Sequence, residues 1–581
     1  MKRILKFILI ILFTFSLVAC DKQSNIEIFS YQETMEQDYL QIIDLELLNI
    51  NLDEIVIEFD SDFVNAELTD DGDVKVFSKN KKGITSITII YGDINRKIEI
   101  EILPTLREKA IETLDLKYTK YNNFYQIFVR SFADSDGDGI GDLNGITENL
   151  NYLHSLGVTA LWLTPIHPTI SYHGYEVIDY YEVNPEFGTI QDLKDLIESA
   201  NSYGIDIVLD MVFNHTSTEN EWFTDSTTRD KYYIKHGNSY YETFPFSRDL
   251  NLKNEELKEE LSNILLYYLD MGISGFRFDA IKHFFTKDKM PSYDSSPDIS
   301  MGLFLRGLKT RVKKSYPEAY FVGEYFEYNH QRYRYGFLGL DSLFNFEIAG
   351  MLREETGTFS DLNRRLPRIY NNFDSYSESN YVDAPFVNNH DLDRLASIMP
   401  SLTNRKMAYS ILLTLPGSPF IYYGDELGMT GRRASGIGRT VTGYKGVAYD
   451  EFVREPFPWK NKYQTTWFPI SYENQNVESP TQALNNEDSL LNHIKTLNNI
   501  RLNYPALMYG NYFEVFPTET PMLMGYVRMI QHEDFIEKVV VVHNLTNRAY
   551  TLDINSIDIF GSKELNVMET YIGLLDVIEK E

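Results

Sequence analysis

The chain has 581 residues, more than one hydrophobic core of ordinary size organises, so its length predicts two to four domains. The net charge of −31 argues against a nucleic-acid or anionic-membrane partner, because phosphate groups would be repelled. A neutral or weakly charged substrate fits better. Aromatic residues make up 14% of the chain and include 41 Tyr, which serve either in packing or as stacking platforms for sugar rings.

The N-terminal segment MKRILKFILIILFTFSLVAC has basic residues followed by an apolar run. The run is shorter than the roughly 20 residues of a membrane span, so it predicts an export signal. Cys20, the only cysteine in the sequence, follows small residues, and this ending resembles a bacterial lipobox. The resemblance implies cleavage of residues 1–19 as a signal peptide, acylation of Cys20, and an exported, membrane-anchored lipoprotein on the bacterial cell envelope or surface. The alternative is a spanning anchor with an incidental cysteine.

Residues 20–105 are predicted to form a β-sandwich. Short runs such as EIVIEFD and DVKVFS alternate apolar and polar residues, and turn residues separate them. The last strands of this segment resemble those of a bacterial immunoglobulin-like domain. The segment contains no catalytic cluster in its sequence, so we expect a spacer or a docking module.

Residues 117–505 alternate short buried strands with amphipathic helices, which predicts a parallel sheet with right-handed crossovers. Eight candidate strands are present, the number that closes a (β/α)₈ TIM barrel, and the active site of such a barrel lies at the carboxyl ends of its strands. A small lobe is expected to be inserted at about 212–262. Residues 506–581 return to short alternating strands such as KVVVVHNLT and predict a C-terminal β-sandwich.

Charged and polar side chains follow four of the predicted barrel strands. They are Asp210, Asn214 and His215 in DMVFNH, then Arg277, Asp279, Lys282 and His283 in GFRFDAIKH, then Glu324 in FVGE, and His390 and Asp391 in FVNNHD. Their order and spacing resemble the four signature segments of the α-amylase family of glycoside hydrolases, family 13. The alternative is that these acids only cap strands and pair with arginine.

Cleavage of a glycosidic bond with retention needs a carboxylate nucleophile and a nearby carboxylic acid. Asp279 is the predicted nucleophile, because Arg277 lies two residues earlier on the same strand, faces the same side, and is expected to keep the carboxylate ionised. Glu324 is the predicted acid/base and must hold a proton, which burial among other carboxylates favours. The resemblance implies that Asp391 binds two sugar hydroxyls. His215 and His390 are expected to hydrogen-bond hydroxyls of the same sugar ring.

Two further segments bear on the substrate. YHGYEVIDYY resembles the family segment in which Tyr175 would stack on the sugar and His173 would line the cleft; the alternative for Tyr175 is core packing. Lys282 and His283 after the nucleophile resemble relatives that act on α-1,4 glucans, whereas Ala280 stands where α-1,6-glucosidases more often have Val. The alternative for Lys282 and His283 is an ordinary surface pair.

The aspartate loop, DSDGDGIGD at residues 134–142, begins like a calcium-sensor loop. The twelfth position, where a sensor needs Glu, is Gly145, which argues against a sensor. The resemblance implies a structural Ca²⁺; a solvated acidic turn is the alternative. The family resemblance also allows a second calcium ion near Asn214, but the sequence offers too few ligands for it. The implied ligands of the first ion are the carboxylates of Asp134, Asp136, Asp138 and Asp142 and the carbonyl of Ile140.

The sequence therefore predicts a retaining α-glucan hydrolase that cleaves α-1,4 bonds of starch, maltodextrin or related oligosaccharides through a covalent glycosyl-enzyme. A glucanotransferase or an α-1,6-acting glucosidase of the same family is the first alternative, because water and sugar compete for one intermediate. A non-catalytic glucan-binding lipoprotein is the alternative from another class. Such relatives lose catalytic carboxylates, whereas this chain retains Asp279, Glu324 and Asp391.

Overall fold

The computed structural model describes two compact units, which fall within residues 1–105 and 106–581. None of the helices among the described residues is long and apolar enough to cross a membrane. Cys20, the predicted lipidation site, lies outside the described residues. The description covers residues 25–103 and 121–579, except for 29–31, 37–39, 44, 49–50, 70–71, 73, 80–82, 93, 290–295, 329–332, 334–335, 355–358, 360, 377–380, 434–443, 446–448, 511 and 532–534.

The N-terminal unit consists of small, mainly antiparallel sheets. Its strands are β1 (Asn25–Ile28), β2 (Gln32–Glu36), β3 (Leu40–Ile43), β4 (Leu45–Leu48), β5 (Val56–Phe59), β6 (Val64–Leu68), β7 (Val74–Ser78), β8 (Gly83–Tyr91) and β9 (Ile94–Leu103). The sheet orders are β2-β9-β8-β5, β3-β7-β6 and β1-β4, and only the pairing of β2 with β9 is parallel among the described strands.

One apolar core joins the two larger sheets of this unit. Val64 and Val76 come from the three-stranded sheet, and Ile87, Ile89 and Ile100 come from the four-stranded one. All five are fully buried and lie in the same cluster. The alternation of apolar and polar residues therefore produces two layers packed face to face, as the period of two along a strand requires.

The second unit is built around a parallel sheet. Its strands up to residue 422 are β10 (Phe124–Ile127), β11 (Ala160–Leu163), β12 (Asp206–Met211), β13 (His215–Ser217), β14 (Lys235–His236), β15 (Ser239–Tyr240), β16 (Ser247–Asp249), β17 (Gly275–Phe278), β18 (Tyr320–Gly323), β19 (Ser342–Leu343) and β20 (Phe420–Tyr422). Seven of them form one sheet in the order β19-β18-β17-β12-β11-β10-β20.

The two edges of this sheet are joined by the segment around Ala384 and Phe386. Ala384 makes a parallel bridge with Phe344, next to β19, and Phe386 makes one with Phe420 of β20. Together with the seven strands, these bridges give the eight predicted segments a TIM-like arrangement. The predicted strand that contains Ala384 and Phe386, the seventh in chain order, is therefore represented by these two isolated bridges.

Helices separate the barrel strands. They are α1 (Val129–Phe132), α2 (Leu143–Glu148), α3 (Leu150–Ser155), α4 (Ile190–Ser202), α5 (Glu221–Thr224), α6 (Ser226–Tyr232), α7 (Glu255–Asp270), α8 (Pro297–Val312), α9 (Phe346–Leu352), α10 (Leu362–Tyr376), α11 (Leu395–Ile398), α12 (Leu402–Thr414), α13 (Tyr472–Gln475), α14 (Pro480–Leu484), α15 (Leu490–Asn503) and α16 (Pro505–Met508). Short 3₁₀ turns occupy Leu52–Glu54, Ile281–His283 and Glu451–Arg454.

Helix α4 shows why these segments are helical. Leu193, Leu196 and Ile197 are buried on one face at helical spacing. Thr189 and Asp192 form a reciprocal capping box at its first turn, which satisfies two backbone N–H groups that the helix itself leaves without partners. Burial of one face and capping of one end together fix where the helix begins.

The inserted lobe between β12 and α7 contains two small antiparallel ribbons. β13 pairs with β16, and β14 pairs with β15. His215 lies opposite Asp249 in the first ribbon. The ribbon therefore ties the lobe to the carboxyl end of β12, beside the predicted active site.

The C-terminal part contains an antiparallel sheet in the order β21-β22-β23-β27-β25 and a ribbon of β24 with β26. These strands are β21 (Tyr512–Val515), β22 (Leu523–Gln531), β23 (Phe535–Asn544), β24 (Tyr550–Thr551), β25 (Ile557–Phe560), β26 (Glu564–Leu565) and β27 (Thr570–Glu579). Leu565 of the ribbon shares an apolar cluster with Val540 and Val542 of the sheet.

The buried side chain of Arg528, in β22, links this sheet to the barrel. Its guanidinium donates to the carbonyl oxygens of Thr414 at 2.5 Å, Leu507 at 3.1 Å and Gly510 at 2.5 Å. Thr414 is the last residue of α12, which leads into β20. Carbonyls at a helix end lack intrahelical partners, so an arginine from the C-terminal sheet supplies donors that the helix needs.

Candidate active site

Arg277 is the centre of a group of carboxyl side chains at the carboxyl ends of the strands. Its Nη1 lies 2.6 Å from Asp210 Oδ1 and 2.8 Å from Asp279 Oδ1, and its Nη2 lies 2.6 Å from Glu324 Oε2. Asp210 and Arg277 are neighbours in the register of β12 and β17. We call Asp210, Arg277, Asp279 and Glu324 the strand-end cluster. One guanidinium therefore contacts both predicted catalytic carboxyls.

Burial determines the protonation of this cluster. It raises the pKa of Glu324 to about 8, and the negative charges of Asp279 and Asp391 add to this rise while Arg277 opposes it. Burial likewise raises the pKa of Asp279 to about 7 and that of Asp210 to about 6, against the effect of Arg277. Glu324 is thus the acid that gives up its proton last, as an acid/base requires. The guanidinium of Arg277 moderates the pKa of Asp279 but does not bring it below its usual range.

The backbone of Ala280 turns sharply between the two carboxyls. Its φ of 48° and ψ of 37° lie in the left-handed region, which residues with a Cβ rarely adopt. The turn places its N–H 3.1 Å from Glu324 Oε2, the oxygen that also accepts from Arg277. Both donors face Oε2, which leaves Oε1 to carry the proton of the acid form.

Asp391 is held by a second arginine. Arg454 Nη2 lies 3.1 Å from Asp391 Oδ1 and 2.8 Å from Asp450 Oδ2, and its Nε donates to the carbonyl of His390 at 3.0 Å. Burial opposes the charge of Asp391, but contacts with His390 and Arg454 outweigh it and lower the pKa. Burial lowers the pKa of His390 to about 3, so its ring is neutral at pH 7. Arg454 therefore contacts Asp391 directly and, together with Arg277 and Arg433, supplies positive charge that favours its ionised form.

Tyr175 connects Asp210 with His390. Its hydroxyl donates to Asp210 Oδ2 at 2.9 Å and lies 2.8 Å from His390 Nε2. The rings of Tyr175 and His390 are stacked, with centroids 5.5 Å apart. Trp162 Nε1 also donates to Asp210 Oδ2, at 3.2 Å. Tyr175 is half-buried: it packs against the main apolar cluster and places its hydroxyl among the side chains of the site.

Two predicted substrate-contacting histidines face protein groups. His215 is buried, with Nε2 3.0 Å from the Tyr175 carbonyl and Nδ1 3.1 Å from Asn214 Nδ2. His173 is half-buried, and its Nδ1 lies 3.2 Å from Ser171 Oγ. Both ring nitrogens of His215 therefore have partners in the protein, which fixes its orientation.

Lys282 and His283 extend the site beyond the nucleophile. Lys282 Nζ donates to the carbonyl of Phe326 at 3.0 Å and lies 3.4 Å from Glu327 Oε2. It therefore fastens the segment that follows Glu324. The ring of His283 packs edge-on against Phe244 of the inserted lobe, with centroids 5.6 Å apart.

The aspartate loop brings three of its carboxylates together. Ligand oxygens of Asp134, Asp136 and Asp138 all lie within 4.8 Å of one another, an arrangement that could hold a metal ion. Asp142 has a different role: its Oδ1 accepts from Gly145 N and its Oδ2 from Ser135 N, both at 2.7 Å, so it caps α2. The all-oxygen set of three carboxylates fits a hard cation such as Ca²⁺.

Asp210 and Arg454 belong to the site, although no role was predicted for either of them from the sequence. Asp210 was identified only as a strand-end acid; the sequence signal for its pairing is that it is the one acid inside the apolar run IVLDMV, where a buried charge needs a partner. Arg454 lies in a 3₁₀ turn after the last barrel strand. Nothing in the sequence near Arg454 marks it as a neighbour of Asp391.

Comparison with known proteins identifies the family of this chain. Residues 126–247 and 228–510 match the family model of the alpha amylase catalytic domain. The chain is 36% identical over 465 residues to alpha-amylase 3 of Dictyoglomus thermophilum, covering 74% of this chain and 86% of that protein. It is 32% identical over 471 residues to 4-alpha-glucanotransferase of Thermotoga neapolitana, covering 73% and 95% respectively. A solved alpha-amylase structure from H. orenii has a TM-score of 0.67 and 32% identity, covering 80% of this chain and 100% of that chain.

The chain belongs to the alpha-amylase family, glycoside hydrolase family 13. It is a glycoside hydrolase or transglycosylase of that family, whose substrates are α-glucans. The family assignment agrees with the resemblance read from the four strand-end segments and with the uncharged substrate that the net charge favours.

Proposed function

We propose that the protein is a retaining α-glucan hydrolase acting on α-1,4 bonds of starch, maltodextrin or related oligosaccharides. The observation that carries this proposal is the guanidinium of Arg277, which contacts Asp279 and Glu324 at once. One guanidinium thus holds at one place the two carboxyl groups that a double displacement uses as nucleophile and acid/base, and retention is the outcome that the family resemblance implies.

In the first step, Glu324 gives its proton to the glycosidic oxygen and the leaving sugar departs. Asp279 attacks the anomeric carbon and forms a covalent glycosyl-enzyme. In the second step, the Glu324 carboxylate takes a proton from water, whose oxygen attacks the same carbon and releases Asp279. Asp391, kept ionised beside Arg454, accepts hydrogen bonds from sugar hydroxyls. Tyr175 offers its ring, and His173, His283 and His390 line the sugar site.

A glucanotransferase is the second candidate, because a 4-alpha-glucanotransferase is among the relatives at 32% identity. In that case a sugar hydroxyl replaces water as the acceptor, and the first step is unchanged. Product analysis after incubation with maltoheptaose separates the two. Shorter oligosaccharides alone support hydrolysis, whereas products longer than the substrate would refute it as the main activity.

The preference for α-1,4 bonds rests on Lys282 and His283, which follow the nucleophile. Lys282 fastens the segment after Glu324, where the leaving sugar departs. Parallel assays on amylose, pullulan and panose test this preference. Faster release of glucose from panose than of reducing ends from amylose would favour an α-1,6-acting glucosidase.

We also propose that the protein is exported and anchored by lipid at Cys20. The basic and apolar residues before Cys20 support this proposal. Mass spectrometry of the protein isolated from a bacterial host tests it. A diacylglyceryl-modified N-terminal cysteine is the expected result, and an N-terminus that still contains residues 1–19 would contradict it.

We propose that Ca²⁺ binds the aspartate loop through Asp134, Asp136 and Asp138. The carbonyl of Ile140 lies within the same loop and is the further ligand expected from the family resemblance. The ion would offset the repulsion among the three acids and so stabilise the loop. Calcium titration calorimetry of the purified protein tests the site, and absence of a binding isotherm would refute it.

A further inference from the structure

The two ring nitrogens of His390 have polar neighbours on opposite sides of the ring. Its Nε2 lies 2.8 Å from the Tyr175 hydroxyl and 3.2 Å from Asp391 Oδ2. Its Nδ1 lies 2.6 Å from Nε2 of Gln126, a residue of the first barrel strand. His390 and Gln126 are both buried, so these neighbours determine where the ring proton lies.

Two contacts place a proton on Nε2 of His390. Burial opposes the charge of Asp391, yet the positive groups around it lower its pKa, so the carboxylate is ionised and can only accept. The hydroxyl of Tyr175 has one proton, which it donates to Asp210 Oδ2 at 2.9 Å, so it acts as an acceptor toward His390. Both contacts therefore require an N–H at Nε2.

Nδ1 of the same ring therefore has a lone pair. Burial lowers the pKa of His390 to about 3, so the ring is neutral at pH 7 and has a single N–H. The lone pair needs a donor, and the amide nitrogen of Gln126 supplies one. The reverse orientation of the amide would set Gln126 Oε1 against the lone pair. This Oε1 has no hydrogen-bond partner among the described residues, so the contact with His390 is made by the donor end of the amide alone.

The position of Gln126 on β10 explains how it reaches the ring. Side chains alternate along a strand, so Gln126 faces the same side as Phe124, which stacks on Phe420 in an apolar cluster formed by several barrel strands. Gln126 also lies opposite Trp162 in the register of β10 and β11, and Trp162 packs edge-on against the His390 ring. A buried amide in such surroundings needs a polar partner, and His390 is the partner that it has.

We propose that Gln126 is a positioning residue that holds His390 in the neutral form with its proton on Nε2. In this form Nε2 can donate to a sugar hydroxyl while Asp391 beside it accepts from one. The other neutral form would present two acceptors at the same place and leave the oxygen of the hydroxyl without a donor. The inference rests on the sugar site proposed above and is the same for hydrolysis and for transfer.

NMR of the protein labelled with ¹⁵N in its histidine rings tests the proton positions directly. The signals of His390 are those that disappear in His390→Asn. At pH 7 we expect a protonated Nε2 and an unprotonated Nδ1. Gln126→Glu should place a proton on Nδ1, because an imidazole binds a proton more tightly than a carboxylate does. This measurement needs no turnover, so its failure is distinct from a failure of the proposed hydrolysis.

Kinetics of Gln126→Met test the consequence for the sugar site, because methionine removes the donor and keeps a side chain of similar length. Asn123→Leu is the matched control: Asn123 is a buried amide just before β10 and donates to the Gly157 carbonyl. Both variants should lower Tm by a few degrees. The value of kcat/KM should fall about tenfold in Gln126→Met, as loss of one ordinary hydrogen bond predicts, and stay within about twofold in Asn123→Leu.

Three results overturn the proposal. One is a proton on Nδ1 of His390 in the intact protein, and another is an unprotonated Nδ1 in Gln126→Glu. The third is a loss of kcat/KM in Gln126→Met no larger than that in Asn123→Leu, which would leave Gln126 with a packing role only. If Gln126→Met is insoluble, the two NMR results decide.

Discussion

The strand-end cluster and the aspartate loop contain the same chemical group in two environments. In the cluster, Asp210, Asp279 and Glu324 share the positive charge of Arg277, and burial raises the pKa of all three. In the loop, Asp136 and Asp138 are exposed, and backbone N–H groups approach the carboxylates. Burial raises the pKa of these acids more than the single charge of Arg277 lowers it, so an acid can hold the proton that catalysis needs. Exposure leaves the carboxylates of Asp136 and Asp138 accessible to a cation from solvent.

The largest expected effect is at the two catalytic carboxyls. Asp279→Asn and Glu324→Gln should each lower kcat/KM on maltodextrin by at least about a thousandfold, because the nucleophile or the proton donor is lost. Circular dichroism and Tm should remain near those of the intact protein, since shape and hydrogen-bonding groups are conserved. Activity within tenfold of the intact enzyme in either variant would refute the assigned role.

The second effect is at Arg454, which touches Asp391. Arg454→Met should lower kcat/KM about 10- to 100-fold, because a hydrogen bond to a charged group is worth about 1.5–3 kcal/mol. Arg454→Lys keeps the charge and should lose less. An equal loss in both variants would show that packing matters there and that the charge does not.

The third effect is a change in pH dependence. Activity should rise as Asp279 ionises and fall as pH passes about 8, where Glu324 loses its proton. The negative charge of Asp210 raises the pKa of Asp279, so Asp210→Asn should move the acidic limb of kcat/KM to lower pH by up to about one unit. The basic limb serves as the internal control. A shift of the acidic limb to higher pH would contradict this account of the cluster.

The smallest effect concerns the thermal stability that calcium gives to the aspartate loop. Chelation of calcium should lower Tm by a few degrees, as loss of a ligand bound only by the folded state does. Asp136→Ala should abolish that sensitivity and leave kcat/KM within about twofold. If chelation lowered the Tm of this variant as much as that of the intact protein, calcium would have to bind elsewhere.

The sequence allowed prediction of the parts that depend on local pattern. Buried runs predicted the barrel strands, and Arg277 two residues before Asp279 predicted their contact because side chains alternate along a strand. The acid character of Glu324 also followed from burial among carboxylates.

The rest depends on contacts between distant residues. Arg454 reaches Asp391 through a turn 63 positions away, and Gln126 reaches His390 across 264 positions, so no local spacing encodes either contact. The pKa of Asp279 could not be predicted because it depends on how much water the fold excludes. The capping role of Asp142 was hidden for another reason: one carboxylate can bind a cation or begin a helix, and the loop geometry decides between them.

The guanidinium of Arg528 connects the C-terminal sheet to the barrel, so the two parts are not independent of each other. The change from helices to strands near residue 506 looks like a border between interchangeable parts. Yet the carbonyl of Thr414, at the end of α12 before the last barrel strand, accepts a hydrogen bond from Arg528, which lies beyond that border. A barrel excised at residue 505 would leave the carbonyl of Thr414 without the arginine donor that it now has. We therefore expect that a C-terminal sheet taken from a relative replaces this one without loss of stability only if it brings an arginine that reaches the same helix end.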